Sequence, residues 1–193
     1  MKHGRPSGTL RIIGGNWRGR KIRVSRVHGL RPTLDRVRET LFNWLAADIR
    51  DAHCLDLFAG TGALSFEALS RGASDVVAVE RNNRTLRDLH QNRSLLGANR
   101  LSIIHTDALR YVDARHPRTF DIIFVDPPFH HQLIPATLEA LARSDCVTHG
   151  TLVYVELEAD TDCAVASSWD RLRHQRAGNT QAMLLEWLCC RAS

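Results

Sequence analysis

No stretch of this 193-residue chain approaches the roughly 18 consecutive apolar residues that a membrane-crossing helix needs. Its start, Met1-Lys2-His3-Gly4-Arg5-Pro6, has no apolar core of signal-peptide length. A soluble, cytoplasmic protein is expected. The five cysteines, Cys54, Cys146, Cys163, Cys189 and Cys190, are odd in number and contain no Cys-x-x-Cys pair, which argues against both a disulfide framework and a zinc site. No metal is expected. There is no internal repeat and no low-complexity segment. Acids are nearly missing from the first 38 residues, where Asp35 stands alone against 11 of the 26 Lys and Arg. That segment is +10 while the whole chain is +5, so the rest is −5.

Arg11, Arg18, Arg20, Lys21, Arg23 and Arg26 crowd onto a hairpin expected to turn at Gly14-Gly15-Asn16, with Trp17 among them. A basic segment with an interleaved aromatic suits an RNA partner. The bland alternative is a solvated tail, but Leu10, Ile12, Ile13, Ile22 and Val24 read as real strands. A division follows, with a basic β-hairpin arm over 1–28 and one larger domain over 29–193.

In the larger part, apolar runs at about 54–58, 75–80, 101–105, 121–125 and 151–156 alternate with helical patterns at about 63–71, 83–96 and 132–143. That alternation predicts an α/β fold with a mostly parallel sheet and right-handed crossovers. Residues 171–177 and 182–189 flank Gly178-Asn179 and read as a terminal hairpin. A first helix is expected to start near Thr33, capped by its hydroxyl. Its apolar stripe of Leu34, Val37, Leu41, Trp44 and Leu45 would face the sheet, leaving Arg31, Arg36 and Arg38 outside it, able to reach RNA phosphates or a cofactor carboxylate, with a solvated basic face the alternative for Arg36.

Chemistry concentrates where the strands end. Ile122-Ile123-Phe124-Val125 runs into Asp126-Pro127-Pro128-Phe129, a turn that two prolines stiffen and strip of N–H donors. In open α/β sheets, ligands bind beyond the carboxyl ends of the strands. A nucleobase amino group is a pure donor with its lone pair delocalised into the ring. The Asp126 carboxylate and the Pro127 carbonyl can accept its two hydrogens while Phe129 stacks on the base. A Pro-rich turn closing an ordinary strand is the competing reading. Earlier in the chain, Cys54-Leu55-Asp56-Leu57-Phe58 enters Ala59-Gly60-Thr61-Gly62, a tight loop before a helix. The third glycine of a dinucleotide fingerprint is replaced by Ser65. Glu80 ends the next strand at the spacing suited to two ribose hydroxyls, and Asp107 follows the third, placed to meet an adenine amino group.

These motifs, in this order, resemble the class I S-adenosylmethionine-dependent methyltransferases, a Rossmann-like fold whose seven-stranded, mostly parallel sheet closes with an antiparallel C-terminal hairpin. Arg11-Ile12-Ile13-Gly14-Gly15-Asn16-Trp17-Arg18-Gly19-Arg20-Lys21 and Arg31-Pro32-Thr33-Leu34-Asp35-Arg36-Val37-Arg38-Glu39 narrow the resemblance to the bacterial RsmD family. The resemblance implies methylation of guanine N2 in 16S ribosomal RNA, at guanine 966, by a monomer acting within the small ribosomal subunit. It also implies a cofactor site of Asp56, Phe58, Ala59, Gly60, Thr61, Gly62, Glu80, Arg81, Asp107 and Ala108, and a catalytic turn of Asp126, Pro127, Pro128 and Phe129. RNA contacts fall to Arg11, Trp17, Arg18, Arg20, Lys21, Arg31, Thr33, Arg36 and Arg38.

An adenine N6 methyltransferase acting on DNA or RNA is the alternative, since Asp-Pro-Pro-aromatic serves any exocyclic amine. A nicotinamide dehydrogenase leaves that motif unexplained. A silent RNA-binding module would not need Asp56, Glu80, Asp107 and Asp126 together. His130-His131 is read as an RNA contact at most. Asp121, Glu156 and Glu158 are expected to be solvated.

Overall fold

A computed structural model describes residues 7–25, 35–128, 133–161 and 165–188. Thr33, Arg31, Arg26, Phe129, His130 and His131 lie outside them, as does the expected boundary at residue 28. Strands β1 (Ser7–Arg11) and β2 (Lys21–Ser25) form an antiparallel pair. The remaining strands are β3 (His53–Asp56), β4 (Asp75–Glu80), β5 (Leu101–His105), β6 (Ile122–Val125), β7 (Leu152–Glu158), β8 (Trp169–Ala177) and β9 (Thr180–Trp187). They make one sheet in the order β5-β4-β3-β6-β7-β9-β8. The first five run parallel and β9 is antiparallel to both neighbours. The expected sheet is present with strand ends shifted by a few residues at most.

The central strands are apolar throughout because helices cover both faces. One face packs Cys54, Ile122, Phe124 and Tyr154 under α1 (Asp35–Trp44) and α2 (Ala63–Ser70). The other packs Leu55, Ile123, Val125 and Val153 against α4 (Ala108–Asp113) and α5 (Leu133–Arg143). Between β4 and β5 runs α3 (Asn83–Leu96). The Asn82 carboxamide caps its start by accepting from the Arg84 and Thr85 N–H groups, and Gly97 ends it at φ +64°. Six-residue α4 escaped the sequence reading. Its only local signal is Asp107, whose side chain caps it. No helix among the described residues is long and apolar enough to cross a membrane.

The expected basic hairpin is present, and its apolar side packs into the core. Leu10, Ile12 and Ile22 are at most 6% exposed and belong to the same core as Leu41, Phe42 and Phe124. Its connection is wider than a tight turn, with a 3-10 turn at Gly15–Trp17 and Ile12 N–H bonded to the Arg20 carbonyl. Polar groups fasten this connection to α2. Glu67, fully buried, accepts from the Ile13 and Gly14 N–H groups at 2.8 Å each and from Arg71 Nε at 2.8 Å. Ser70 Oγ accepts from the Trp17 N–H and donates to the Gly14 carbonyl. Gly15 fits so closely that a Cβ there would sit 1.8 Å from the Ser70 oxygen, at a φ of +73° that side chains disfavour.

Arg38 corrects an expectation. It was read as a phosphate contact, but it is 0% exposed, on the buried side of α1. Its Nη2 donates to the Arg11 carbonyl at 2.9 Å and to Asp35 at 2.6 Å, and Nη1 lies 3.8 Å from Glu67. A guanidinium buried between hairpin and helix has no face left for RNA.

Candidate active site

The chain passes from β3 outward to β4 and β5, then returns to add β6 on the other side of β3. That reversal opens a crevice beyond the carboxyl ends of β3 and β6, where ligands of such sheets bind. Asp56 ends β3, Glu80 ends β4, Asp107 follows β5 and Asp126 follows β6. The topology therefore gathers four acids that are widely separated in sequence.

The glycine loop spans the crevice floor. Ala59 N–H bonds the Val79 carbonyl at 3.0 Å and Gly62 N–H bonds the Ala59 carbonyl at 2.8 Å. Gly62 has φ +92°, and a Cβ there would meet the Phe66 ring at 2.4 Å, so glycine is required. Gly60 N–H donates to Glu80 Oε2 at 2.9 Å, and Asn82 N–H donates to Glu80 Oε1 at 2.6 Å. Both carboxylate oxygens are thereby oriented, and each keeps acceptor capacity for a hydroxyl. Phe58 is half-buried, Thr61 and Ala108 are buried, and Arg81 is exposed. Asp107 divides its oxygens. Oδ1 accepts from the Leu109 N–H at 3.0 Å, while Oδ2 lies 3.5 Å from Arg81 Nη1.

Asp56 is 1% exposed and its Oδ2 accepts from Ser65 Oγ at 2.5 Å. Burial, then the negative charges of Asp126 and Glu80, raise its pKa to about 7 against the opposing Ser65 hydrogen bond. A cation placed beside this carboxyl would favour its ionised form.

Asp126 is half-buried, Pro127 buried and Pro128 half-buried, and the described residues contain no cis peptide bond. Beside this turn stand two groups the sequence reading did not assign. β6 and β7 pair Phe124 with Tyr154 and Val125 with Val155, so Glu156 is the next residue alongside Asp126. Glu156 is 4% exposed, not solvated as expected, and accepts from the Tyr154 hydroxyl at 2.9 Å. Burial raises the Glu156 pKa against that hydrogen bond. Burial, then the charges of Glu156 and Asp126, hold the Tyr154 phenol well above its ordinary value. Nothing in the alternation of β7 distinguishes Glu156 from a solvated acid, because β7 lies inside the sheet between β6 and β9 and is buried on both faces from Leu152 to Leu157.

Among the expected RNA contacts, Arg11, Arg18, Arg20, Lys21 and Arg23 are exposed. Arg36 is exposed on α1, bordering a small apolar groove with Trp44, Gln175 and Thr180. Trp17 is half-buried and packs against the core, which leaves only part of its ring accessible. A residue that sequence reasoning missed holds hairpin, helix and glycine loop together. Fully buried Asn92 of α3 accepts from the Arg23 N–H at 2.8 Å, and its Nδ2 donates to the Arg23 carbonyl at 2.9 Å and to the Thr61 carbonyl at 3.1 Å.

The family model described as conserved hypothetical protein 95 matches residues 10–186. The chain is 42% identical over 181 residues to the ribosomal RNA small subunit methyltransferase D of Escherichia coli K12, covering 93% of this chain and 91% of that one. It is 39% identical over 174 residues to the protein of the same name from Haemophilus influenzae, covering 89% and 90%. The solved structure of Escherichia coli yhhF superposes with a TM-score of 0.84 at 41% identity, covering 94% of this chain and 99% of that one.

Proposed function

The chain belongs to the family of conserved hypothetical protein 95 and of the ribosomal RNA small subunit methyltransferases D, and from that membership we propose that it methylates 16S ribosomal RNA, at N2 of one guanine, using S-adenosylmethionine. The observation that carries the reading is the set of carboxylates at one topological switch point, with Asp126 and Glu80 close enough to raise the pKa of Asp56. A surplus of negative charge in one crevice suits a cationic cofactor and an amine substrate together.

The residues present fit that cofactor. Gly60–Gly62 lets backbone approach closely, the two oriented oxygens of Glu80 match a vicinal diol, and the Asp107 carboxylate beside Arg81 is placed for an amino-purine edge. Asp56 ends β3 beside Asp126 and Glu80, whose negative charges a sulfonium would offset. When bound, S-adenosylmethionine supplies an activated methyl group on a sulfonium. The chain's own work is positioning and electrostatics. Asp126 and the Pro127 carbonyl accept the two amine hydrogens and turn the nitrogen lone pair outward. After transfer the nitrogen is cationic and acidic, and Asp126 or water takes its proton. The protein is proposed to act as a cytoplasmic monomer, with RNA on its basic hairpin.

Incubating small-subunit RNA or whole subunits with labelled S-adenosylmethionine, followed by mass mapping of modified nucleosides, tests the reading. Label at guanine N2 of one nucleotide is expected. Label at adenine N6 would instead establish the amine chemistry with a different base.

Asp56 gives this site a pH signature. Its proton is retained to about pH 7, and a cationic ligand prefers the ionised form. Affinity for S-adenosylmethionine should therefore rise as pH increases through about 7, with proton release on binding below that point. Affinity for the uncharged thioether product should depend on pH less. Calorimetry in buffers of different ionisation enthalpy measures both, and Asp56→Asn should flatten the difference. Parallel pH curves for the two ligands would detach Asp56 from the sulfonium.

A further inference from the structure

We propose that Glu156 is the residue that selects guanine at this site: held by Tyr154 beside Asp126, its carboxylate accepts the N1–H of the base whose N2 amine is received by Asp126 and the Pro127 carbonyl. The inference rests on the guanine N2 reading and adds the group that tells guanine from adenine.

Register and alternation place the two acids side by side. On β6 and β7, Phe124 is paired with Tyr154 and Val125 with Val155, so Asp126 and Glu156 stand one step further along adjacent parallel strands. Such strands lie roughly 4.8 Å apart. Phe124 and Tyr154 belong to the same core layer, under α1 and α2, and residues two apart on extended backbone share a face, so both acids are on that side of the sheet. The charges of both act on the Tyr154 phenol, which places them around one hydroxyl. Continuing the row, Glu156 is paired with Ala182 of β9 and Ala182 with Gln175 of β8. Ala182 and Gln175 line the small groove that Val37 and Trp44 border from α1. Beyond Glu156 the row therefore continues past a one-carbon side chain into a groove, rather than ending against a bulky residue.

Neither the cofactor site nor methyl transfer uses Glu156. It is nonetheless buried, at 4% exposure, and burial raises its pKa. Burying a carboxylate is costly unless hydrogen bonds reach it, and its oxygens offer about four acceptor sites. Tyr154 fills one of them. Fully buried itself, and with its phenol held well above the ordinary value, Tyr154 keeps its proton, donates it to Oε2 at 2.9 Å and fixes the orientation of the carboxylate. A donor arriving with the substrate favours the ionised form, against the effect of burial.

Guanine brings that donor to the required place. Its N1–H adjoins the N2 amine, so one edge of the base offers donors to both acids at once. Adenine sets an N1 lone pair next to its N6 amine, and that lone pair would face the Glu156 carboxylate. An amine-accepting turn alone admits either base, whereas a buried acceptor beside it rejects the one that has no proton to give.

The test compares small-subunit RNA with the same RNA carrying 2-aminopurine at the mapped nucleotide, a base that keeps the 2-amine but has an N1 lone pair in place of N1–H. Methyl transfer is measured as kcat/KM on both. Wild type should prefer guanine by roughly a hundredfold or more. Glu156→Gln can turn a donor toward N1, so its preference should fall by about tenfold or more, while Glu156→Asp, which keeps the acceptor, should be slower with the preference retained. The missing O6 of 2-aminopurine affects wild type and variants alike, so the change in ratio reports N1. Melting temperature and cofactor affinity serve as folding controls. A purely structural Glu156 would lower both rates together and leave their ratio unchanged. Should Glu156→Gln fail to fold, Tyr154→Phe decides: it frees the carboxylate from its fixed orientation and should lower the preference by about threefold or more. A wild type indifferent to 2-aminopurine, a folded Glu156→Gln with the wild-type ratio or with no activity on either RNA, or Tyr154→Phe in its place with the wild-type ratio, would overturn the inference, while N2-methylguanine in unmodified RNA would still uphold the methyltransferase reading. Label at adenine N6, or at no base, would defeat the reading and the inference together.

Discussion

Asp126→Ala should lower turnover by about a hundredfold or more while cofactor affinity stays within a few-fold. The asymmetry follows from position. Asp126 sits one residue past β6 on a turn rigidified by Pro127 and Pro128, whereas the loop at Gly60–Gly62 and the Glu80 carboxylate are braced by hydrogen bonds that do not involve it. Its acceptor oxygens are needed most as the amine nitrogen pyramidalises, so the loss belongs to kcat rather than to KM. Asp126→Asn should be nearly as damaging, because a carboxamide offers one acceptor and turns donors toward an amine that is itself a donor. A second effect is measurable in the same variants. Asp126 is one of the charges that raise the pKa of Asp56, so the pH midpoint for S-adenosylmethionine binding should move down when that charge is removed. Collapse of cofactor affinity on calorimetry would make Asp126 a cofactor residue and sink its catalytic assignment.

Glu67→Ala should cost about 3 to 5 kcal/mol of unfolding free energy, the range for removing one partner from a buried ionic network. The carboxylate is the shared acceptor for two hairpin N–H groups and for Arg71, with the buried Arg38 guanidinium nearby. Truncation leaves those donors in the core without compensation. Urea denaturation reads the loss. Amide exchange at Ile13 and Gly14 should accelerate well before the strands of the central sheet do, because the hairpin detaches first. Affinity for long RNA should fall in the same variant. Unchanged denaturation with unchanged exchange would mean that apolar contacts of Leu10, Ile12 and Ile22 dock the hairpin alone.

The parallel sheet was legible in the chain because each buried strand is a short apolar run and each helix carries its own period, both of which are local signals. Gly62 was legible because its backbone geometry excludes side chains, and Asp126 because two prolines mark the turn it opens. α4 was lost because six residues are too few for a period to show. Arg38 was misread because a helix position facing the core looks apolar in a pattern, and an arginine there registers as solvent-facing until its acceptors, the Arg11 carbonyl and Asp35, are brought to it. Glu156 and Glu67 were missed for the same reason. A carboxylate signals its burial only through partners, and the two hairpin N–H groups that Glu67 accepts from lie more than fifty residues away in the chain.

By itself the sequence determined the strands and the longer helices, their order, the acids at the strand ends and the excess of positive charge at the start of the chain, since all of these depend on neighbouring residues. Only the tertiary structure decided which acids share a crevice, which cations face water and where the hairpin docks. Those outcomes depend on strand order and on the packing of α2 and α3, which bring together groups that are remote in the chain and give each its solvation, its partners and its charge state.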